Sequence, residues 1–180
     1  MKRITVFCGA NTAVSNVYKE QAYQLGKELA IENITLVYGG SKTGLMGEIA
    51  NGVLSNDGMA IGVIPNFLID RELAHTGLTE LIFVETMHER KAKMNELSDG
   101  FIVLPGGLGT MEEFFEMLTW AQLGLHKKPI IILNTDGFYS PLIALIDQMI
   151  DKCFISKKSR AFFKICATVE KVIKELNRYQ

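Results

Sequence analysis

A chain of 180 residues, 48% of them hydrophobic, suits one domain with a single buried core. Its 19 Lys and Arg against 20 Asp and Glu leave a formal net charge of −1, which gives no field to hold a nucleic-acid polymer or an anionic membrane surface. Cys8, Cys153 and Cys166 are odd in number and widely spaced, so neither a disulfide framework nor a zinc knuckle is suggested, and a reducing cytoplasmic setting is expected.

Residues 3–8 form a short β-branched and apolar run that stops at Gly9, and helical spacing follows from about Ser15 through Tyr18, Ala22, Leu25 and Leu29. The pattern returns as a predicted strand over 35–38, a glycine-rich turn, a helix over 44–55 and a strand over 59–64 closed by Pro65. Residues 81–84 read as a strand that feeds a helix over 87–97. Next come a buried strand over 100–104, a turn over 105–109, and a helix over 110–123 whose apolar stripe runs through Met111, Phe114, Leu118 and Ala121. One more strand, 129–133, and a helix, 139–151, complete the reading.

No apolar run approaches the roughly 18 to 20 residues that cross a bilayer, and the opening residues lack the apolar length and cleavage site of a signal peptide. His75, His88 and His126 stand without ligand spacing, so no metal is expected. Short strands apolar on both faces, alternating with helices, predict an α/β fold. It is a Rossmann-like, doubly wound parallel sheet with helices on both faces, a single domain over residues 1–180. In such sheets ligands lie beyond the carboxyl ends of the strands, so function is sought in the turns there.

Three of those turns are rich in small residues: 8–12 with Gly9, 39–44 with Gly39 and Gly40, and 105–110 with Gly106, Gly107, Leu108, Gly109 and Thr110. Glycine lets the backbone turn sharply and approach a ligand, while the free N–H groups of the next helix face an anion. Tight turning alone also explains any one of them. None is a dinucleotide fingerprint, and none closes with the Gly-Lys-Ser/Thr of a P-loop. Glu112 and Glu113 fall in the first turn of the predicted helix, where acids suit the helix dipole for structural reasons. Helical spacing nevertheless puts Glu113 on a face with Glu116, Met117 and Trp120, apart from the core stripe, so that it can point toward whatever the glycines hold. Arg90 and Lys91 lie near the start of another helix, where cations oppose the dipole and an anionic partner would relieve them.

With these residues in view, the chain resembles a known family. Residues 105–113, Pro-Gly-Gly-Leu-Gly-Thr-Met-Glu-Glu, reproduce the PGGxGTxxE signature of the LOG ("lonely guy") cytokinin riboside 5′-monophosphate phosphoribohydrolases, and the likeness continues through 87–94, 119–124 and 128–139. The resemblance implies hydrolysis of the N-glycosidic bond of a purine nucleoside 5′-monophosphate, AMP or an N6-modified AMP, to free base and ribose 5-phosphate. It makes Arg90 and Glu113 the catalytic pair, and Glu72, Lys91, Gly107, Leu108, Gly109, Thr110, Met111, Glu112 and Thr119 contacts to the nucleotide. It also implies a homodimer and no cofactor. Ala10 stands where the family often has serine, and Ser41 where it often has glycine; altered affinity with retained chemistry is expected. The family is also labelled lysine decarboxylase, but no constellation here suggests a pyridoxal phosphate site. A non-catalytic nucleotide or nucleotide-cofactor carrier using the same loops is the alternative; no metal cluster or nucleophile motif favours a phosphatase.

Overall fold

Alternation along the first strand organises the molecule. In the computed structural model, which describes residues 2–68 and 73–179, β1 (Arg3–Phe7) turns Ile4 and Val6 into one apolar cluster and Phe7 into a second on the opposite face. The strands β2 (Thr35–Tyr38), β5 (Gly100–Val103) and β6 (Ile130–Leu133) do the same. Leu36, Ile102 and Ile131 join the first cluster, whereas Val37, Phe101 and Ile130 join the second. With β3 (Ala60–Pro65), β4 (Glu80–Val84) and β7 (Phe163–Cys166) they form one parallel sheet in the order β4-β3-β2-β1-β5-β6-β7.

A sheet apolar on both faces needs cover on both. The helices α1 (Asn16–Ile31), α2 (Gly44–Leu54) and α6 (Val169–Leu176) supply it for the first cluster, and α3 (Met87–Leu97), α4 (Leu108–Gln122) and α5 (Ser140–Asp151) for the second. The chain builds outward from β1 to β4, then returns to β1's other side with β5. The switch point therefore falls between the carboxyl ends of β1 and β5, where a doubly wound sheet leaves a crevice.

The expected doubly wound fold is present, with most element ends within two residues of the sequence reading. Two differences matter. The unit of β7 and α6 was not expected, because Phe163-Lys164-Ile165-Cys166 is a short edge strand interrupted by a charge. Yet α6 carries a readable signal, Thr168 at its N-cap accepting from the Lys171 N–H and an apolar stripe of Val169, Val172, Ile173 and Leu176. Second, α4 begins at Leu108 rather than Thr110, which brings Gly109 into its first turn.

Helices α1 and α2 approach each other backbone to backbone. A Cβ on Gly26 of α1 would stand 2.2 Å from the Ile49 carbonyl oxygen, and one on Gly52 of α2 would stand 2.1 Å from the Tyr23 oxygen. Neither oxygen can retreat without bending its helix. Gly26→Ala is therefore expected to destabilise the protein by about 1–3 kcal/mol, the usual cost of overpacking, although alanine is the better helix former. A urea denaturation midpoint equal to wild type would contradict this packing.

Candidate active site

The three glycine turns are tied together before any ligand arrives. The Gly9 N–H donates to the Pro105 carbonyl at 3.1 Å, and the Leu45 N–H donates to Gly9 O at 2.9 Å. That second bond occupies part of the α2 N-terminus with backbone. The N-terminus of α4 differs: Gly107 is its N-cap and no side chain caps it. The N–H groups of Leu108, Gly109 and Thr110 therefore open the helix at the switch point, an arrangement that suits an anion.

Beside that helix start lies a cavity of about 250 Å³ whose walls include Cys8, Met46, Arg90, Gly107, Thr110 and Glu113. Thr86 begins α3 by accepting from the Glu89 N–H at 3.1 Å, while the Glu89 carboxylate accepts from the Glu85 N–H at 2.9 Å. This cap fixes the first turn, and Arg90 follows immediately. Its guanidinium is almost wholly buried, and its Nε–H donates to Val63 O at 3.0 Å while Nη2 donates to Gly39 O at 2.8 Å. Gly39 follows the last residue of β2, and Val63 lies in β3 just past Gly62, its last residue paired with β2, so both carbonyls lie where the ladder between these strands ends. Gly39 has to be glycine here, since a Cβ would fall 2.2 Å from Arg90 Nη2.

Glu113 is 7% exposed, buried with Phe114 and Met117. The sequence reading set Glu113 apart from the core stripe and placed Met111 on it. The structure places Glu113 in the cavity wall beside the glycines, on a face that is itself buried because it meets the strand ends, while Met111, half-buried, packs with Phe114, Leu118 and Ala121 on the second cluster. Burial raises the Cys8 thiol far above its ordinary pKa, and the Glu113 carboxylate raises it further, so Cys8 stays protonated and is no nucleophile.

Not all expected contacts lie in this cavity. Gly9, Arg90, Gly107, Gly109, Thr110, Glu112 and Glu113 do. Gly106 faces a second cavity of about 300 Å³, lined mainly by apolar groups such as Val14, Tyr18 and Phe138. Gly40, at φ +83°, uses its carbonyl to accept from the His75 N–H at 2.9 Å. The Leu108 side chain points into solvent, and Thr119 lies exposed farther along α4, lining neither cavity. Lys91 is buried, its ammonium paired with Glu112 and lying 3.2 Å from Glu116 Oε1. Glu72 lies outside the described residues. Sequence reasoning missed Met46, Leu68 and Met87, which give the cavity an apolar wall; the position of Met46 and Met87 in the opening turns of helices at strand ends was the available clue. Among the described residues no group of three His, Cys, Asp or Glu side chains could hold a metal ion.

The glycines of the third loop divide into two kinds. A Cβ on Gly106 would fall 2.1 Å from Thr110 Oγ1, so packing requires that glycine, whereas Cβ atoms on Gly107 and Gly109 would meet nothing within 4 Å.

A doubly wound α/β protein, with an uncapped, glycine-opened helix beside a buried arginine and a buried glutamate, is the class that fold and site define. A family model described as "Possible lysine decarboxylase" matches residues 46–176. The chain is 47% identical over 173 residues, 96% of its length and 87% of the relative's, to a cytokinin riboside 5′-monophosphate phosphoribohydrolase of Rhodococcoides fascians. To one of Arabidopsis thaliana it is 45% identical over 177 residues, covering 98% of this chain and 82% of the other. The chain belongs to the LOG family. Among solved structures, the molybdenum cofactor binding protein of Rippkaea orientalis superposes with a TM-score of 0.75 at 24% identity, over 99% of this chain and 98% of that one, a likeness of fold.

The open space at Gly107 and Gly109 separates packing from ligand approach. Gly107→Ala and Gly109→Ala are expected to leave stability within about 0.5 kcal/mol of wild type or to raise it slightly, as surface and helix-start changes do. Titration calorimetry with AMP should show binding weakened at least tenfold in both. Undiminished affinity would mean that no ligand comes close to this backbone.

Proposed function

We propose that the chain hydrolyses the N-glycosidic bond of a purine nucleoside 5′-monophosphate, AMP or an N6-substituted AMP, giving free base and ribose 5-phosphate. The observation that carries this reading is the buried Glu113 carboxylate in the wall of a cavity that begins at an uncapped helix N-terminus. The 5′-phosphate takes the N–H groups of Leu108, Gly109 and Thr110, where the helix dipole favours negative charge. That anchor sets the ribose over Glu113 and turns the base toward Met46, Leu68 and Met87.

Cleavage of the C1′–N bond builds positive charge on the sugar while the bond's electrons pass to the base. The Glu113 carboxylate stabilises that charge and accepts a proton from the attacking water, whose oxygen bonds to C1′, while the departing base, holding the bond's electrons, takes a proton from solvent to leave as the neutral free base. Held by Val63 O and Gly39 O, the Arg90 guanidinium sits at a fixed place in the cavity wall, where it orients Glu113 and the substrate and hydrogen-bonds to the departing base. Since part of the binding energy is spent on a phosphate remote from C1′, a nucleoside without it should be a poor substrate.

A decarboxylase using a Schiff base is less well supported. Such a lysine has to give up its proton. Lys91, the buried lysine among the described residues, is held as ammonium: burial lowers its pKa, but the hydrogen bonds it donates to Glu112 and Glu116 reverse that and raise it overall.

The reading includes a homodimer formed near α3 and α4; Phe83 on β4 and Leu123 and Leu125 after α4 are large apolar side chains left exposed. It also includes a cytoplasmic location, supported by the free Cys8, Cys153 and Cys166. No described helix is long and apolar enough to cross a membrane.

Incubation with AMP should yield adenine and ribose 5-phosphate by chromatography, while adenosine is turned over far more slowly. Glu113→Gln should lower kcat by roughly 10² to 10⁴, the usual worth of a positioned general base, with its cooperative unfolding retained. Turnover of AMP by that variant at the wild-type rate would remove Glu113 from the mechanism. AMP bound stoichiometrically and recovered intact from the wild-type protein would establish a carrier instead.

A further inference from the structure

Lys91 adjoins Arg90 in sequence but points elsewhere, toward α4 rather than the strand ends. Its side chain is 6% exposed, and its ammonium lies between two carboxylates on successive turns of α4, paired with Glu112 and 3.2 Å from Glu116 Oε1. Glu112 and Glu116 are four residues apart, so they repel each other on one helix face and gain from a cation set between them. The other oxygen, Glu116 Oε2, is buried with no hydrogen-bond partner. A half-buried carboxylate in the third turn of a helix, with one oxygen unsatisfied, has no purpose in packing alone.

We infer that Glu116, through Lys91, is a positioning residue that holds α3 and α4 in register and so sets Arg90 against Glu113. The inference rests on the reading of Arg90 and Glu113 as the reacting pair. On its sheet side α3 is pinned by Arg90 to Gly39 O and Val63 O, and on its α4 side by Lys91 to the two acids. Glu113 stands on α4 between those acids in sequence, three residues before Glu116. A helix pinned on both sides cannot roll, and a roll of α3 would carry Arg90 and Lys91 together. Lys91 is on this account engaged by the protein itself and is not a phosphate ligand, although its neighbour lies in the cavity wall.

The two roles predict different kinetics. Glu116→Gln and Lys91→Met keep the length of each side chain and remove its charge. If Glu116 acts through Lys91, each variant should lower kcat for AMP about tenfold, with KM changed less than threefold. The double variant should then be no worse than Lys91→Met alone, since Glu116 acts only through Lys91. Were Lys91 a phosphate ligand, Lys91→Met would raise KM tenfold or more, Glu116→Gln would not, and the losses would multiply; that result overturns the inference. A second measurement needs no turnover. The Arg90 Nε–H resonance in a ¹⁵N spectrum should move in both variants, and an unmoved resonance in both would overturn the inference independently. A wild-type protein inactive on AMP would sink the proposed reaction instead, leaving the spectroscopic test of the link intact.

Discussion

The site depends on one buried cation and the backbone that receives it. An arginine taken out of water costs several kcal/mol unless its donors are met, and removal of its partners leaves that cost exposed. Arg90 meets it with the carbonyls of Gly39 and Val63, two oxygens just past the end of the pairing between β2 and β3. Parallel sheets end in such carbonyls, so the fold supplies the acceptors and the sequence has only to bring a guanidinium to them. The Thr86 cap does so by fixing where α3 starts, and Gly39 does so by having no Cβ. Charge-assisted hydrogen bonds of this kind contribute about 1.5–3 kcal/mol each, enough to hold the group in place.

From this constraint the remaining geometry follows. With Arg90 fixed to β2 and β3, the cavity has one immovable wall, and α4 provides the other. Its first turn offers N–H groups to an anion and its second turn a buried acid. The distance between them along one rigid helix is about 4.5 to 7.5 Å at 1.5 Å per residue, comparable to the reach from a 5′-phosphate to the anomeric carbon of its ribose. The helix start and the acid are thus spaced by one rigid element rather than by loops that need ordering.

How far this was legible in the sequence differs by element. The strands could be read because burial on both faces makes them continuously apolar, and the turns because glycine breaks those runs. What could not be read was the purpose of each glycine. Gly39, Gly106, Gly107 and Gly109 look alike in sequence, yet the first two yield space to Arg90 and Thr110 and the last two yield it to open cavity. Only the neighbours, which come from distant segments, distinguish them. Glu113 was singled out on the face it occupies, toward the glycines, but the burial of that face could not be read, because a carboxylate breaks the apolar stripe by which a buried side is recognised. The same blindness covered Lys91, whose partners Glu112 and Glu116 are remote in sequence and close in space. Functional sites are where a local rule is broken and compensated elsewhere, so they are where pattern reading fails.

The fold itself is neutral between catalysis and carriage, since doubly wound sheets hold many ligands and do many things with them. What separates the two here is a cost that only one of them explains. A carrier needs the N–H cradle, a cavity and some apolar wall, all of which are present. It has no use for a carboxylate buried to 7% exposure beside that cradle, because a negative charge near a bound phosphate weakens binding and is itself expensive to desolvate. A glycosidic cleavage has a use for it: the positive charge that develops on the sugar exists only in the transition state, so the acid acts there and little before. A group that hinders holding and helps breaking belongs to a protein selected to break.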